Sequence, residues 1–131
     1  MLTALASALT SFFMIEVDFY RSGDGKCPVE AYLQSLSDKQ AAKVLWTFNL
    51  LRALAPVPGQ YFQTMAGRDE LWEVRVLFAG DIFRLLGFYG RDGKFLLCHG
   101  FTKKTQKTPS KEMEVAGARK AEYEKRVGKK M

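Results

Sequence analysis

The sequence contains few of the residues from which metal centres and disulfide frameworks are built. Its 131 residues include one histidine and two cysteines, and Cys27 and Cys98 stand in no CxxC or other ligand-like spacing. A single histidine cannot supply a zinc site of the usual composition. Both thiols are therefore predicted to be reduced, and to serve packing more than redox chemistry, in a protein of the cytoplasm.

Sequence motifs of several enzyme classes are also missing. No glycine-rich phosphate loop precedes a helix, no nucleophile elbow occurs, and the acidic residues are not paired at a spacing typical of carboxylate catalysis. No metal site and no cofactor are therefore predicted. The residues that remain for chemistry are basic.

The first thirteen residues, MLTALASALTSFF, contain no Lys or Arg. The segment is apolar and small, yet it lacks the charged beginning of a signal peptide and is too short to span a membrane. The next residues, MIEVDFY, open with Met14 and have the pattern of a strand. We therefore interpret residues 1–13 as an N-terminal extension or an upstream translation start, and residues 14–131 as a single domain with no membrane partner.

Positive charge is abundant, but it is confined to one end of the chain. Residues 1–98 carry ten Lys or Arg and ten Asp or Glu, whereas residues 99–131 carry ten and four, so the whole net charge of +6 lies in the second part. A polyanion such as RNA or DNA is the natural partner for so localised a positive field. A solvated basic tail is the alternative.

Periodicity in the first half predicts one strand and two helices. Residues 15–20, IEVDFY, alternate as a half-buried strand does. Pro28 suits the first turn of a helix in CPVEAYLQSL, and Ser37 with Gln40 forms a capping box that starts a second helix. An apolar stripe that includes Leu45 runs along this helix until Pro56 ends it. The following PVPGQYFQTMAGRDE is predicted to be a connector.

The second half predicts three strands and a helix. The strands are ELWEVRVLF (70–78), DIFRLLGFYG (81–90) and KFLLCHGF (94–101), joined by turn signals at Ala79-Gly80 and RDG. Thr108 and Pro109 are interpreted as the N-cap and first turn of the final helix. The predicted fold class is α+β: an N-terminal strand, a two-helix hairpin packed on one side of a three-stranded antiparallel meander, and a C-terminal helix that docks on the sheet or on a partner.

Basic side chains are expected to converge beside the last strand. Alternation places Arg75 on the strand face opposite Trp72, and Arg84 lies in the neighbouring strand. If the segment HGFTKKTQKTP curls over this face, Lys103 and Lys104 join the two arginines in a cluster that suits phosphate. Alternatives remain for individual residues: Glu73 and Arg75 as residues that pair with neighbouring strands, Arg84 as a buried ion-pair member, and His99 as a structural hydrogen-bonder.

The run LWEVRVLFAGDIFRLLGFY, followed by LLCHGFTKKTQKTPSKEMEVAGARKAEY, resembles the RelE/ParE toxin superfamily, in particular its HigB-like, phage-associated branch. The resemblance covers about residues 15–127. It implies the toxin of a type II toxin–antitoxin system, an endoribonuclease that cuts mRNA on the ribosome and is silenced by a helix-turn-helix antitoxin. By position, the resemblance implies a catalytic group of Arg68, Arg75, Lys103 and Lys104.

The chemistry of metal-independent RNA cleavage gives these residues their expected roles. Lys103 or Lys104 would transfer protons, since two adjacent ammonium groups repel each other and this favours the neutral form of one. The arginines would stabilise charge on the phosphate. RNA binding is predicted for Arg84, His99 and Lys107.

Two other functions remain open. ParE-like members of the same fold inhibit DNA gyrase, and a non-catalytic basic module would bind RNA or a protein without cutting.

Overall fold

The computed structural model describes residues 16–53, 62–65, 70–103 and 109–129. The N-terminal extension predicted for residues 1–13 lies outside them. The described helices and strands are β1 (Val17–Phe19), α1 (Pro28–Gln34), α2 (Asp38–Ala53), β2 (Phe62–Thr64), β3 (Trp72–Phe78), β4 (Asp81–Tyr89), β5 (Phe95–Lys103) and α3 (Ser110–Arg126). The α+β class and the order of its predicted elements are confirmed.

Local sequence signals explain where the first two helices begin. Pro28 occupies the first turn of α1 behind an extended Cys27, a position in which its missing N–H costs nothing. At the start of α2 the Gln40 amide donates to Ser37 Oγ at 3.2 Å, and the Ser37 amide donates to Gln40 Oε1 at 3.0 Å. The predicted capping box is therefore confirmed.

The strands form one five-stranded sheet in the order β1-β5-β4-β3-β2. Strands β3, β4 and β5 are the predicted antiparallel meander, while β1 pairs with β5 in parallel. Strand β2 lies in the stretch that was predicted to be a connector, and that prediction was wrong. Its pairing with β3 buries Phe62, which stacks on Trp72 at 4.6 Å between ring centroids, a tertiary contact that no pattern within three residues reveals.

Helices cover both faces of this sheet, which corrects the prediction of a helical layer on one side. Helices α1 and α2 bury Val29, Val44 and Phe48 against β3 and β4. On the opposite face, α3 packs Ala116 and Met113 against a second cluster that includes Phe88. The central strand β4 is apolar on both faces because each face is covered.

Two predicted helix positions differ in the structure. Leu45, expected in the buried stripe of α2, is 46% exposed, because the buried side of the helix is formed by Val44, Thr47, Phe48 and Leu51. Helix α3 begins at Ser110 with Pro109 as its extended N-cap residue, so Pro109 precedes the helix. Thr108, the predicted cap, lies outside the described residues.

Turn geometry and a bulge set the register of the meander. Ala79 and Gly80 have φ angles of 51° and 84°, the left-handed pair that a two-residue hairpin turn requires. Between β4 and β5, Leu86 is opposite His99 whereas Gly87 is opposite Leu97, so Cys98 is an extra residue on β5. This bulge turns both Cys98 and His99 toward the α3 face.

None of the helices in the described segments has both the length and the apolar character that a membrane crossing requires.

Candidate functional site

A cluster of three charged side chains lies on the α3 face of β3 and β4. Arg75 donates to Glu73 Oε1 through Nε at 3.2 Å and through Nη2 at 2.9 Å. Arg84, which is opposite Arg75 in the sheet register, donates from Nη1 to Glu73 Oε2 at 3.3 Å. Each oxygen of one carboxylate therefore holds a different guanidinium group.

Burial differs sharply within this arginine–glutamate cluster. The side chains of Glu73 and Arg84 are 0% exposed, whereas that of Arg75 is 21% exposed. Of these three side chains, only that of Arg75 reaches solvent. The cluster therefore presents positive charge through a single, anchored guanidinium, the group that suits a phosphate oxygen.

Arg84 was predicted to bind RNA, with a buried ion pair as the alternative. Its guanidinium has no exposed surface and contacts the buried Glu73 carboxylate. The described geometry offers RNA no direct contact with Arg84 and agrees with the ion-pair interpretation. Removing Glu73 would take from this buried guanidinium the carboxylate that it contacts, a change that is typically destabilising.

A second polar cluster surrounds His99 and connects β5 to α3. The His99 ring lies with Nε2 at 3.2 Å from Glu112 Oε1 and Nδ1 at 3.1 Å from Arg119 Nη1. Arginine can only donate, so Nδ1 accepts and the ring proton lies on Nε2, from which it is donated to Glu112. Arg119 Nη1 also donates to the Cys98 carbonyl at 2.7 Å, which fixes its position.

The environment of His99 favours its neutral form. Burial lowers the pKa of the ring below its ordinary value, and the charge of Arg119 lowers it further, while Glu112 acts in the opposite direction. The side chain is 15% exposed, and its ring stacks on Phe101 at 5.5 Å between centroids. Both nitrogens are therefore engaged within the protein, as expected of a structural hydrogen-bonder, and the predicted contact of His99 with RNA stays a prediction.

The two clusters occupy neighbouring positions on one face of the sheet. Leu86 in β4 is opposite Glu73 on one side and opposite His99 on the other. Since adjacent strands are about 4.8 Å apart, the backbones of Glu73 and His99 are separated by roughly 10 Å. On the α3 face of the meander the buried side chain of Leu86 therefore separates the two polar clusters.

The remaining predicted site residues lie at the end of a described segment or outside the described residues. Lys103 is the last residue of β5, opposite Ile82, and its side chain lies outside the described part. Arg68, Lys104 and Lys107 also lie outside the described residues. The structure brings Arg75 and Arg84 together as expected, while the convergence of the lysines stays a prediction.

Sequence reasoning found part of the first cluster and missed the partners in the second. Pairing of Glu73 with a neighbouring strand was one alternative, and the ion pair with Arg84 agrees with it, whereas the contact of Glu73 with Arg75 within β3 was not predicted. Glu112 and Arg119 had no signal, because their approach to His99 depends on the bulge at Cys98 and on the docking of α3.

The described residues also form a cleft that lies apart from these clusters. This cleft of about 350 Å³ is lined by residues of β2, of the start of β3 and of the C-terminal half of α3, among them Trp72 and Lys120, and includes none of the predicted site residues. Within the described ranges, no three His, Cys, Asp or Glu side chains gather as metal ligands would.

Comparison with known proteins identifies a family. Residues 31–121 match the family model described as phage-derived protein Gp49-like (DUF891). The match covers more than half of the chain and includes β3, β4, β5 and both polar clusters. No curated protein matches the chain.

Proposed function

The chain belongs to the Gp49-like family of phage-derived proteins, a family of RelE-like toxins, and on this premise we propose that it is a HigB-like endoribonuclease toxin. The protein would be the toxin of a type II toxin–antitoxin pair. Its substrate would be mRNA, cut on the ribosome without a metal cofactor, so that translation stops. A cognate helix-turn-helix antitoxin would neutralise it.

The observation that best supports cleavage of RNA is the anchored guanidinium of Arg75. It is partly exposed, it is held by a buried carboxylate, and it lies on the α3 face of the sheet. All of the net positive charge of the chain follows Cys98. A positive field of this kind attracts nucleic acid, and an oriented arginine gives it a specific phosphate contact.

Metal-independent cleavage requires two proton transfers and stabilisation of negative charge. The 2′-hydroxyl loses its proton and attacks phosphorus, the bond from phosphorus to the 5′-oxygen breaks, and that oxygen takes up a proton. The products are a 2′,3′-cyclic phosphate and a 5′-hydroxyl. We assign proton transfer to Lys103 or Lys104, charge stabilisation to Arg75 and Arg68, and binding of the RNA backbone to Lys107.

Induced expression followed by primer extension on mRNA tests the proposal. We expect growth arrest and new 5′-hydroxyl ends in the message, and purified protein should cut mRNA in a translation reaction. Arg75→Ala should lower the rate of cleavage by about a hundredfold or more, because an oriented charge contact in a transition state is lost. Arg21→Ala is the matched control, since Arg21 is a surface arginine in an exposed ion pair.

Three other results would contradict the proposal. Inhibition of DNA supercoiling with mRNA left intact would identify a gyrase inhibitor. Salt-sensitive RNA binding without cleavage, even on translating ribosomes, would identify a binding module. Wild-type cleavage by both Arg75→Ala and Lys104→Ala would show that the assigned residues are wrong.

A further inference from the structure

We propose that Glu73 is a positioning residue, which holds the Arg75 guanidinium in the orientation that receives an RNA phosphate. The inference rests on the proposed function and adds to it a residue that never touches the substrate. Glu73 would affect the substrate through Arg75. It also pairs with Arg84, the buried arginine opposite Arg75 in the sheet.

The hydrogen bonds of the carboxylate assign these two contacts to its two oxygens. Oε1 accepts from Nε and Nη2 of Arg75, and Oε2 accepts from Nη1 of Arg84. Since two nitrogens of Arg75 donate to the same oxygen, this edge of the guanidinium is held toward Glu73. Of its five N–H groups, Nη1 and the second N–H of Nη2 point away from the bonds to Glu73.

The burial of Glu73 explains how a carboxylate can belong to a site that binds an anion. Glu73 is 0% exposed and lies behind Arg75, which is 21% exposed. An approaching phosphate therefore meets the guanidinium first, while the carboxylate also contacts a second guanidinium, that of Arg84. Without Glu73, Arg75 would be free to rotate about its side-chain bonds, and binding a phosphate would cost that conformational entropy.

A role in positioning differs measurably from a role in stability alone. A residue that only stabilises the fold changes the amount of active protein, and leaves kcat and KM of the folded molecules unchanged. A residue that orients Arg75 changes kcat, since a displacement of about 1 Å at a reacting group can cost about a hundredfold. Its effect should also disappear once Arg75 is absent, because the two substitutions remove one shared interaction.

The experiment compares Glu73→Gln, Arg75→Ala and the double variant, with kcat and KM measured at a temperature at which circular dichroism shows each to be folded. We expect Glu73→Gln to lower kcat by up to about a hundredfold, with no further loss in the Arg75→Ala background. Glu30→Gln is the matched control, since Glu30 is an exposed carboxylate that also pairs with an arginine. It should retain wild-type kcat.

A second variant covers the case in which Glu73→Gln does not fold. Glu73→Gln with Arg84→Met removes both charges of the buried pair, a change that buried ion pairs often tolerate. This variant should fold and still show the low kcat, because a neutral amide holds Arg75 less firmly than a carboxylate does. Wild-type kcat and KM in any folded variant that lacks the Glu73 charge would overturn the proposal while leaving the nuclease assignment intact.

Binding of a short RNA with a 2′-deoxy group at the cleavage position separates this inference from the proposed function. If the wild-type protein cuts no RNA, the nuclease assignment fails, and the dissociation constant for this oligonucleotide decides about Glu73. Equal and non-additive weakening by Glu73→Gln and Arg75→Ala would support positioning. Wild-type binding by Glu73→Gln, or RNA binding that does not depend on Arg75, would overturn it.

Discussion

Replacing Glu73 by glutamine should destabilise the folded protein strongly, whatever its effect on activity. The substitution removes the carboxylate charge that the fully buried guanidinium of Arg84 contacts. Breaking a buried ion pair in this way typically costs about 3 to 5 kcal/mol. Domains of this size have a free energy of unfolding of about 5 to 15 kcal/mol, so a large share of the stability would be lost.

The double variant Glu73→Gln/Arg84→Met provides the informative comparison. It removes both charges, so the desolvation penalty of the remaining ion disappears together with the attraction. We expect it to be more stable than Glu73→Gln alone by roughly 2 kcal/mol or more, although it carries one more substitution. Arg84→Met alone should cost less than Glu73→Gln, because the carboxylate keeps its two hydrogen bonds from Arg75.

Urea denaturation followed by circular dichroism and tryptophan fluorescence measures these free energies, and thermal denaturation provides a second measure. A loss of about 3 to 5 kcal/mol corresponds to a decrease in Tm of roughly 10 to 20 °C for a domain of this length. If Glu73→Gln stayed within about 1 kcal/mol of wild type, or if the two single losses simply added in the double variant, the reasoning about a buried and compensated charge would be refuted.

Three other predictions concern the same fold. The pKa of His99 is lower in the folded protein than in the unfolded chain. As the pH falls through about 6.5, the unfolded chain takes up a proton that the folded protein does not, and this favours unfolding. Urea midpoints should therefore decrease between pH 7.5 and 5.5, and His99→Gln should remove that slope. Burial raises the pKa of the Cys98 thiol to about 12, so iodoacetamide should label Cys27 in the native protein and Cys98 only after unfolding, as mass spectrometry can show. Gly100→Ala would place a Cβ 2.3 Å from Cδ2 of the Tyr32 ring. It should lower stability by about 1 to 3 kcal/mol in thermal denaturation, and by less in a Tyr32→Ala background.

The elements that the sequence predicted well are those whose signals are local. Alternation and turn residues determine β3, β4 and β5, and the capping box at Ser37 determines the start of α2. The position of Arg75 on the face opposite Trp72 also follows from alternation alone. Such features are determined by residues that are close together in the sequence, so the sequence alone predicts them.

The features that sequence reasoning missed depend on distant partners. Strand β2 exists because Phe62 packs on Trp72 and Phe95. The second helical layer depends on α3 crossing the sheet. The orientation of His99 depends on an unpaired residue in β5, and each added residue in a strand reverses the faces of those that follow. Local sequence patterns could therefore not predict the polar cluster around His99.

The parallel pairing of β1 with β5 has a consequence for the synthesis of the protein. Val17 is opposite Phe95 in the sheet, so the edge strand made first must wait for the strand made last before it finds its neighbour. The sheet is thus completed only after β5 has been synthesised. A protein proposed to attack ribosomes would therefore leave β1 without its neighbouring strand while its own ribosome makes the strands in between.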